Sequence, residues 1–511
     1  MTDLSGRIDL ARLGQPLPAH RPWSGRQVSR EEWVTAAEQL AEGHWTLIAL
    51  WGEASAVHMA LREGAGGTFV TLRLDCPQGR FPSVALRHRP ADRLERALRD
   101  LAGLEPEDAP DRRPWLDHGR WGVKAPLAAA TPAPQLAATA YRFLPVQGEG
   151  LHQIPVGPVH AGIIEPGHFR FTAAGETVVR LEARLGYVHK GITGLLRGAD
   201  VPRAARLAAR VCGDSTVAYS LAFAQALEAA SGAAVPERAL WLRALMGELE
   251  RVANHLGDIG AICNDAAFAR MLAECSVLRE EVLRCAAECW GHRLMMDAVV
   301  PGGVARDLDD AGVERLRGLL ERLRRRLPEL SHLYDNTASL KDRTVGTGLL
   351  RPELALRFGC GGYVGRASGH GFDARRRPGY PPYDRLTFEV PVLQAGDVNA
   401  RVWIRIREVG ESLALLGQLL DGLPPGPHGP AALPGAGSAP GAEGAALVEG
   451  FRGDVFAWVR LGPAGHIESA FLRDPSWFQW PLLEAVIEDN IVADFPLCNK
   501  SFNCSYSGHD S

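Results

Sequence analysis

A run rich in alanine and proline, VKAPLAAATPAPQLAATAY at residues 123–141, constrains the fold more than any other feature of the chain. Its spaced prolines interrupt helix and central strand alike, and alanine alone offers no apolar face worth burying. The run reads as a linker, and it divides 511 residues into two unequal parts. With 46% hydrophobic residues, the chain can supply a buried core to each.

Before the linker, HWTLIALWG and GTFVTLRLDC read as strands bounded by glycine, and ADRLERALRDLAGL reads as a helix with Leu94, Leu98 and Leu101 on one face. That is a small α+β domain. After it, FRFTAAGETVVRLEARLGYVHKG alternates like a hairpin around Gly175, and helical periodicity covers about 203–231, 236–260 and 264–297. The predicted class is α+β: a domain over 1–122, a linker over 123–146, and a mostly helical domain over 147–511 that opens with a β-hairpin. Residues 422–446, GLPPGPHGPAALPGAGSAPGAEGAA, read as a low-complexity loop.

The clearest helix is PERALWLRALMGELERVANHLGDIG. Pro236 suits a first turn, and Leu242, Leu245, Leu249 and Val252 share a face. Glu248, Glu250, Arg251, His255 and Asp258 ride on the same helix, and periodicity alone makes them a solvated polar face.

A formal net charge of −4 gives no global reason for nucleic acid or an anionic membrane as partner. The first residues lack the basic head and apolar core of a secretory signal, and no apolar run approaches the ~18 to 20 residues that span a bilayer. A chain of this kind is expected to dock at a membrane, if it meets one, rather than cross it. The nine cysteines form no C-x-x-C pair. Cys285 and Cys289, one helical turn apart, make half a cluster site at most, so reduced thiols and no iron–sulfur cluster are expected.

FGCGGYVGRASGHG lacks the G-x-G-x-x-G spacing of a dinucleotide site; its glycines are expected to let two backbones approach, with Arg366 supplying a charge. PVGPVHAGIIEPGHFRF places His160 and His168 on a loop rich in Gly and Pro. Imidazole exchanges protons readily near neutral pH, so a loop histidine matters if the loop dips into a cavity.

GPVHAGIIEPGHFRF, RLGYVHKGI, ARVCG, ELERVANHLGDIG, GYVGRASG, GDVNARVWIRIREV and IVADFPL together resemble one superfamily, in its order, from about residue 150 onward. It is that of the [NiFe] hydrogenase large subunit and the complex I quinone-site subunit, nearest to large subunits of formate hydrogenlyase or hydrogenase-4 type. Residues 31–122 resemble the small complex I subunit that some bacteria fuse in front. The resemblance implies nickel held by four thiolates, from C-G-x-C and D-P-C-x-x-C motifs. Here Cys212 and Gly213 keep the start of the first motif, but Ser215 stands at its second cysteine, and Ser505 and Gly508 stand at the other pair. Serine is a poor ligand for a soft metal and glycine is none. Thr193 stands where the relay glutamate belongs. No metal is expected in this chain.

What the resemblance then implies is an emptied site that takes a quinone, lined by His160 or His168 with Asp214 and Tyr219 from the Cys212 helix, and coupling through Glu248, His255 and Asp258. The implied partners are a small subunit with iron–sulfur clusters, a ferredoxin-like subunit and antiporter-like membrane subunits, on the cytoplasmic side of the inner membrane, with the charged helix and the His160 loop touching the membrane partners. The alternatives are a scaffold that transmits conformational change, and a true hydrogenase.

Overall fold

The computed structural model describes residues 8–64, 67–128, 131–132, 141–430 and 441–511. Residues 129–130 and 133–140 of the expected linker, and 431–440 of the expected loop, lie outside the described residues.

The N-terminal part is built on a sheet of β1 (Gln15–Leu17), β3 (Ser24–Gln27), β4 (Trp45–Gly52), β5 (Ala56–Glu63) and β6 (Phe69–Asp75), in the order β1-β3-β6-β5-β4. Helix α1 (Arg30–Ala41) starts at a capping box, in which Ser29 accepts from the Glu32 amide and Glu32 reaches back to Ser29. Helix α2 (Asp92–Ala102) stops at Gly103, whose φ of 71° ends the helical turn without strain. Trp33 and Leu40 of α1 and Leu94 and Leu98 of α2 join the core on one side of this sheet. The other side is covered by the far end of the chain.

There, a three-stranded antiparallel sheet runs through Glu443–Gly450, Gly453–Leu461 and Ile467–Arg473, and the short strand β2 (His20–Arg21) adds to its edge, pairing in parallel with Glu443 and Gly444. The first of these strands begins inside the stretch read from sequence as loop. Trp51 and Phe69 from the N-terminal sheet meet Phe456 and Trp458, with Trp23 and Phe471 packed beside them. The seam is polar at one point: Arg460 donates to Glu53 at 2.7 and 2.8 Å, and His58 Nε2 lies 2.8 Å from Glu53. Burial alone would raise the Glu53 carboxyl, but His58 and Arg460 outweigh it and hold it down at about 2.

The hairpin of the second part forms as expected, from His168–Ala174 and Thr177–Arg184 with Gly175 at φ 60° in the turn. Short helices α3 (Ile192–Leu196) and α4 (Val201–Ala208) lead to α5 (Thr216–Ser231), so the expected helix over 203–231 is two helices with a loop between them. Cys212 sits in that loop with extended backbone, not on a helix. Helix α5 lies on the C-terminal sheet, and the approach needs Gly444: a Cβ there would stand 1.9 Å from the Ala226 carbonyl oxygen. Helices α6 (Glu237–Asp265), α7 (Ala269–Trp290) and α8 (Asp310–Asp335) pack with the Val398–Asp421 helix into a bundle.

The bundle corrects one expectation. Glu248, Glu250, Arg251, His255 and Asp258 are buried, because the Val398–Asp421 helix lies along α6 and brings Arg405, Glu408 and Ser412 to meet several of them. A polar side chain can enter a core when its partner enters with it, and periodicity of one helix cannot show the partner. The glycines of FGCGGYVGRASGHG do allow close approach: a Cβ on Gly362 would stand 2.0 Å from the Arg452 carbonyl oxygen.

Trp458→Ala should cost about 3 to 5 kcal/mol by opening a cavity in the seam between the two parts. Urea unfolding followed by tryptophan fluorescence and by far-UV circular dichroism checks it, and the two curves should shift together.

Candidate functional site

The loop after α4 and the last turn of the chain meet. Cys212 Sγ donates to Asp214 Oδ1 at 2.9 Å and lies 3.0 Å from Ser505 Oγ. Ser505 opens the terminal turn Tyr506–His509, and its hydroxyl accepts from the Gly508 amide at 2.9 Å. Positions from opposite ends of the large domain thus converge. A side chain at 508 would have to displace the Asp474 carboxylate, since a Cβ there would stand 2.4 Å from Asp474 Oδ2.

A guanidinium reaches the middle of this group. Arg452, 4% exposed, makes two bonds of 2.6 Å to the Asp214 carboxylate, one of 3.1 Å to Ser215 Oγ, and approaches Cys212 Sγ at 3.8 Å. Burial would raise Asp214, but Arg452 dominates and holds its carboxyl below the ordinary range. Burial, reinforced by Asp214, pushes the Cys212 thiol well up, so sulfur here is a protonated donor. The donor set of one thiol, two hydroxyls and one carboxylate already bound to a guanidinium does not fit nickel: a soft dication needs thiolates, and a fixed cation within the group opposes another. Among the described residues, no group of three or more His, Cys, Asp or Glu side chains is arranged to hold a metal ion.

Tyr219 is fully buried, and its phenol donates to Asp474 at 2.6 Å. Asp474 in turn accepts from the Ser476 amide, and Ser476 Oγ accepts from the Ser505 amide. Tyr219 therefore supports the floor under Ser505.

His160 lies on the loop between the Leu151–Val156 strand and His168, with its Nε2 3.0 Å from the Tyr506 hydroxyl. Glu165 from the same loop accepts from the Ser507 amide at 3.0 Å, fastening the loop to the terminal turn. Val159 and Ile163 are 77% and 95% exposed, an apolar crest beside the pair. Burial and then Lys500 lower the His160 imidazole, and burial raises the Tyr506 phenol, so the pair is neutral at pH 7. His168 is elsewhere: it is the first residue of its strand, its ring rests against Phe143, and its Nδ1 lies 3.3 Å from the Gly157 carbonyl. The fold thus gathers His160, Asp214 and Tyr219 around the terminal segment and leaves His168 outside. Sequence reasoning missed Tyr506, Arg452 and Asp474; Tyr506 stands inside the NCSYSG segment that marked the second ligand pair.

The three coupling candidates belong to a buried charge network. Glu248 accepts from Arg375 at 2.9 Å, Tyr383 at 2.6 Å and Ser412 at 2.6 Å. His255 Nε2 lies 2.7 Å from Glu408, which pairs with Arg366, and Arg366 pairs with Glu449 and Asp373. Asp258 binds Arg405 at 3.0 Å and Asn503 at 2.8 Å, next to Cys504 and Ser505. The Tyr363 ring lies between this cluster and the His255–Glu408 pair, edge-on to His255 and under the Arg405 guanidinium.

Residues 27–135 match the family model for the respiratory-chain NADH dehydrogenase 30 Kd subunit, and residues 265–433 match that for the 49 Kd subunit. Formate hydrogenlyase subunit 5 of Escherichia coli (strain K12) is 33% identical over 450 residues, covering 86% of this chain and 79% of the relative. Hydrogenase-4 component G of the same strain is 30% identical over 467 residues, covering 89% and 80%. Among solved structures, the membrane-bound sulfane sulfur reductase, an archaeal respiratory membrane complex, contains a chain with TM-score 0.67 and 27% identity, covering 72% of this chain and all of that one.

The chain belongs to the family that unites the fused 30 Kd and 49 Kd subunits of respiratory NADH dehydrogenase with the large subunits of formate hydrogenlyase and hydrogenase-4. It is an oxidoreductase subunit. No helix among the described residues is long and apolar enough to cross a membrane.

Two outcomes test the site. Chain produced with nickel available should carry far less than one nickel per molecule by plasma emission spectroscopy. For Glu248, burial alone would raise the carboxyl, but Arg375 and then Arg251 bring it from the ordinary 4.5 to about 2. A depressed carboxyl stabilises above its unfolded value, and the gain fades as pH falls from about 4.5 toward 2. Glu248→Gln should therefore unfold at lower urea than the parent at pH 7, and the gap should narrow below pH 4.5.

Proposed function

We propose that this chain is the acceptor-site subunit of a membrane-associated, complex-I-like oxidoreductase, and that the acceptor is a quinone. The observation that carries this reading is the His160–Tyr506 pair, a neutral imidazole and a phenol 3.0 Å apart on a loop with an exposed apolar crest. A quinone reduced by two electrons takes up two protons, and donors held at its carbonyl oxygens stabilise the charge that develops. Tyr506 donates one proton at its hydroxyl, and water supplies the second and reprotonates Tyr506 through His160 Nε2. Val159 and Ile163 offer apolar surface to a lipophilic substrate arriving from a membrane subunit. The names of relatives support the class: an NADH-quinone oxidoreductase subunit of Bacteroides thetaiotaomicron is 31% identical over 287 residues.

In this reading the electrons enter from an iron–sulfur cluster of a partner subunit, and this chain holds no redox cofactor of its own. A ferredoxin-like subunit and antiporter-like membrane subunits complete the assembly, on the cytoplasmic side of the inner membrane. Glu248, His255 and Asp258 act from the interior rather than by touching the membrane partners. Charge arriving near Ser505 is felt through Asn503 and Asp258, and the buried network carries the response along α6.

A second reading, that the chain is a non-catalytic coupling scaffold, is favoured by one observation: the Arg452 guanidinium is held by Asp214 and Ser215 beside Cys212, so these side chains are committed to one another rather than to a substrate. His160→Ala and Tyr506→Phe separate the two. Each should lower quinone-dependent turnover of the assembled complex about 100-fold, the low end of what a positioned proton donor contributes. Normal turnover in both variants, with assembly intact on native gels, would leave the scaffold.

A further inference from the structure

Away from this site, a cleft of about 300 Å³ opens where the two parts of the chain meet, large enough for a small ligand. One wall is the start of α2 with residues 111–115, and the other is the end of the Thr177–Arg184 strand with Pro481 and Glu484. Five arginines line it against four carboxylates, which leaves one positive charge in excess. Every acid already has a partner. Asp111 accepts from Arg113 at 2.6 Å and pairs with Arg96 at 3.1 Å, and Asp92 lies 3.6 Å from the same Arg96 guanidinium. Glu182 pairs with Arg113, and Glu484 with Arg93 at 2.6 Å, so two ion pairs join the walls.

Three arginines thus serve all four acids, and donors remain. Arg89, just before α2, is exposed, and its side chain makes no hydrogen bond or ion pair among the described residues. Arg180, on the other wall, donates to the Leu144 and Pro145 carbonyls at 3.1 and 3.2 Å and makes no ion pair among the described residues. Arg93 is 8% exposed, and its Nη1 is buried with no hydrogen-bond partner among the described residues. The Trp115 ring, centred 4.6 Å from that guanidinium, offers a π face but no lone pair. A buried donor left without an acceptor is costly, and native chains pair nearly all of theirs. These donors call for an acceptor that the chain itself does not supply. A tetrahedral phosphate can accept from both walls at once, whereas a carboxylate turns both of its oxygens to one side.

We propose that this cleft binds a phosphate group, free or as the monoester of a small molecule, between Arg89 and Arg93 on one wall and Arg180 on the other. The site is independent of the quinone reading. An occupant ties the N-terminal part to the Thr177–Arg184 strand and so stabilises the folded chain.

The test is calorimetric titration of the full chain, in a buffer free of phosphate, with inorganic phosphate, glycerol 3-phosphate and acetate. Both phosphates should fill a single saturable site, about tenfold or more tighter than acetate. Whichever of the two binds tighter names the source, free ion or ester. Arg89→Glu changes an exposed side chain that has no partner to lose, so circular dichroism should show the fold retained while phosphate affinity falls about tenfold or more. Arg180→Glu should weaken phosphate similarly from the opposite wall. Absence of a saturable site, acetate bound as tightly as phosphate, or unaltered affinity in Arg89→Glu would each overturn the proposal.

Discussion

The ion pair between Arg452 and Asp214 is the fixed point of the large domain. Besides Asp214, the Arg452 side chain donates to the Asn503 carbonyl at 2.5 Å, and its own carbonyl accepts from Gln479 at 2.8 Å. The same carbonyl is the one that Gly362 approaches so closely. One residue therefore ties the loop after α4, the tight turn between two strands, the Ser476–Val486 helix, the glycine-rich segment and the end of the Phe495–Phe502 helix. Removing Asp214 alone would strand a buried cation, a far larger penalty than the pair's own net contribution. The pair thereby organises the segments that carry Cys212, Ser215 and Ser505.

The sequence made the fold class readable because its strongest signals are local. Helix α2 shows its Leu94, Leu98 and Leu101 face, Pro236 marks the entry to α6, and Gly175 marks a turn. The family motifs placed Cys212 opposite Ser505, and the structure sets these 3.0 Å apart. What stayed hidden were pairings between distant segments. Nothing in α6 alone says that Glu248 and Asp258 enter the core, since their partners Arg375 and Arg405 lie more than a hundred residues away. The same reason concealed Tyr506 as the partner of His160, at a separation of 346 residues. The break at Cys212 was masked by apolar residues on both sides, which continue a helical pattern through a loop.

The boundary read at the linker marks a change of composition more than a division of the molecule. Trp51 and Trp458, from opposite ends of the sequence, belong to a single aromatic layer, and Arg473 reaches across to the Ile48 carbonyl at 2.7 Å. A chain that joins two subunit types in one polypeptide can turn an interface between separate proteins into an internal core, where neither half loses translational freedom on meeting the other.

The strand His20–Arg21, which adds to a sheet made of residues 443 to 473, sets a schedule on synthesis. A ribosome delivers the N-terminal sheet first, but the strands that cover its aromatic face emerge about 370 residues after Asp75. At ~5 to 20 residues per second, Trp23, Trp51 and Phe69 stay uncovered for roughly 20 to 70 s. During that interval the nascent chain presents an uncovered aromatic face to its surroundings.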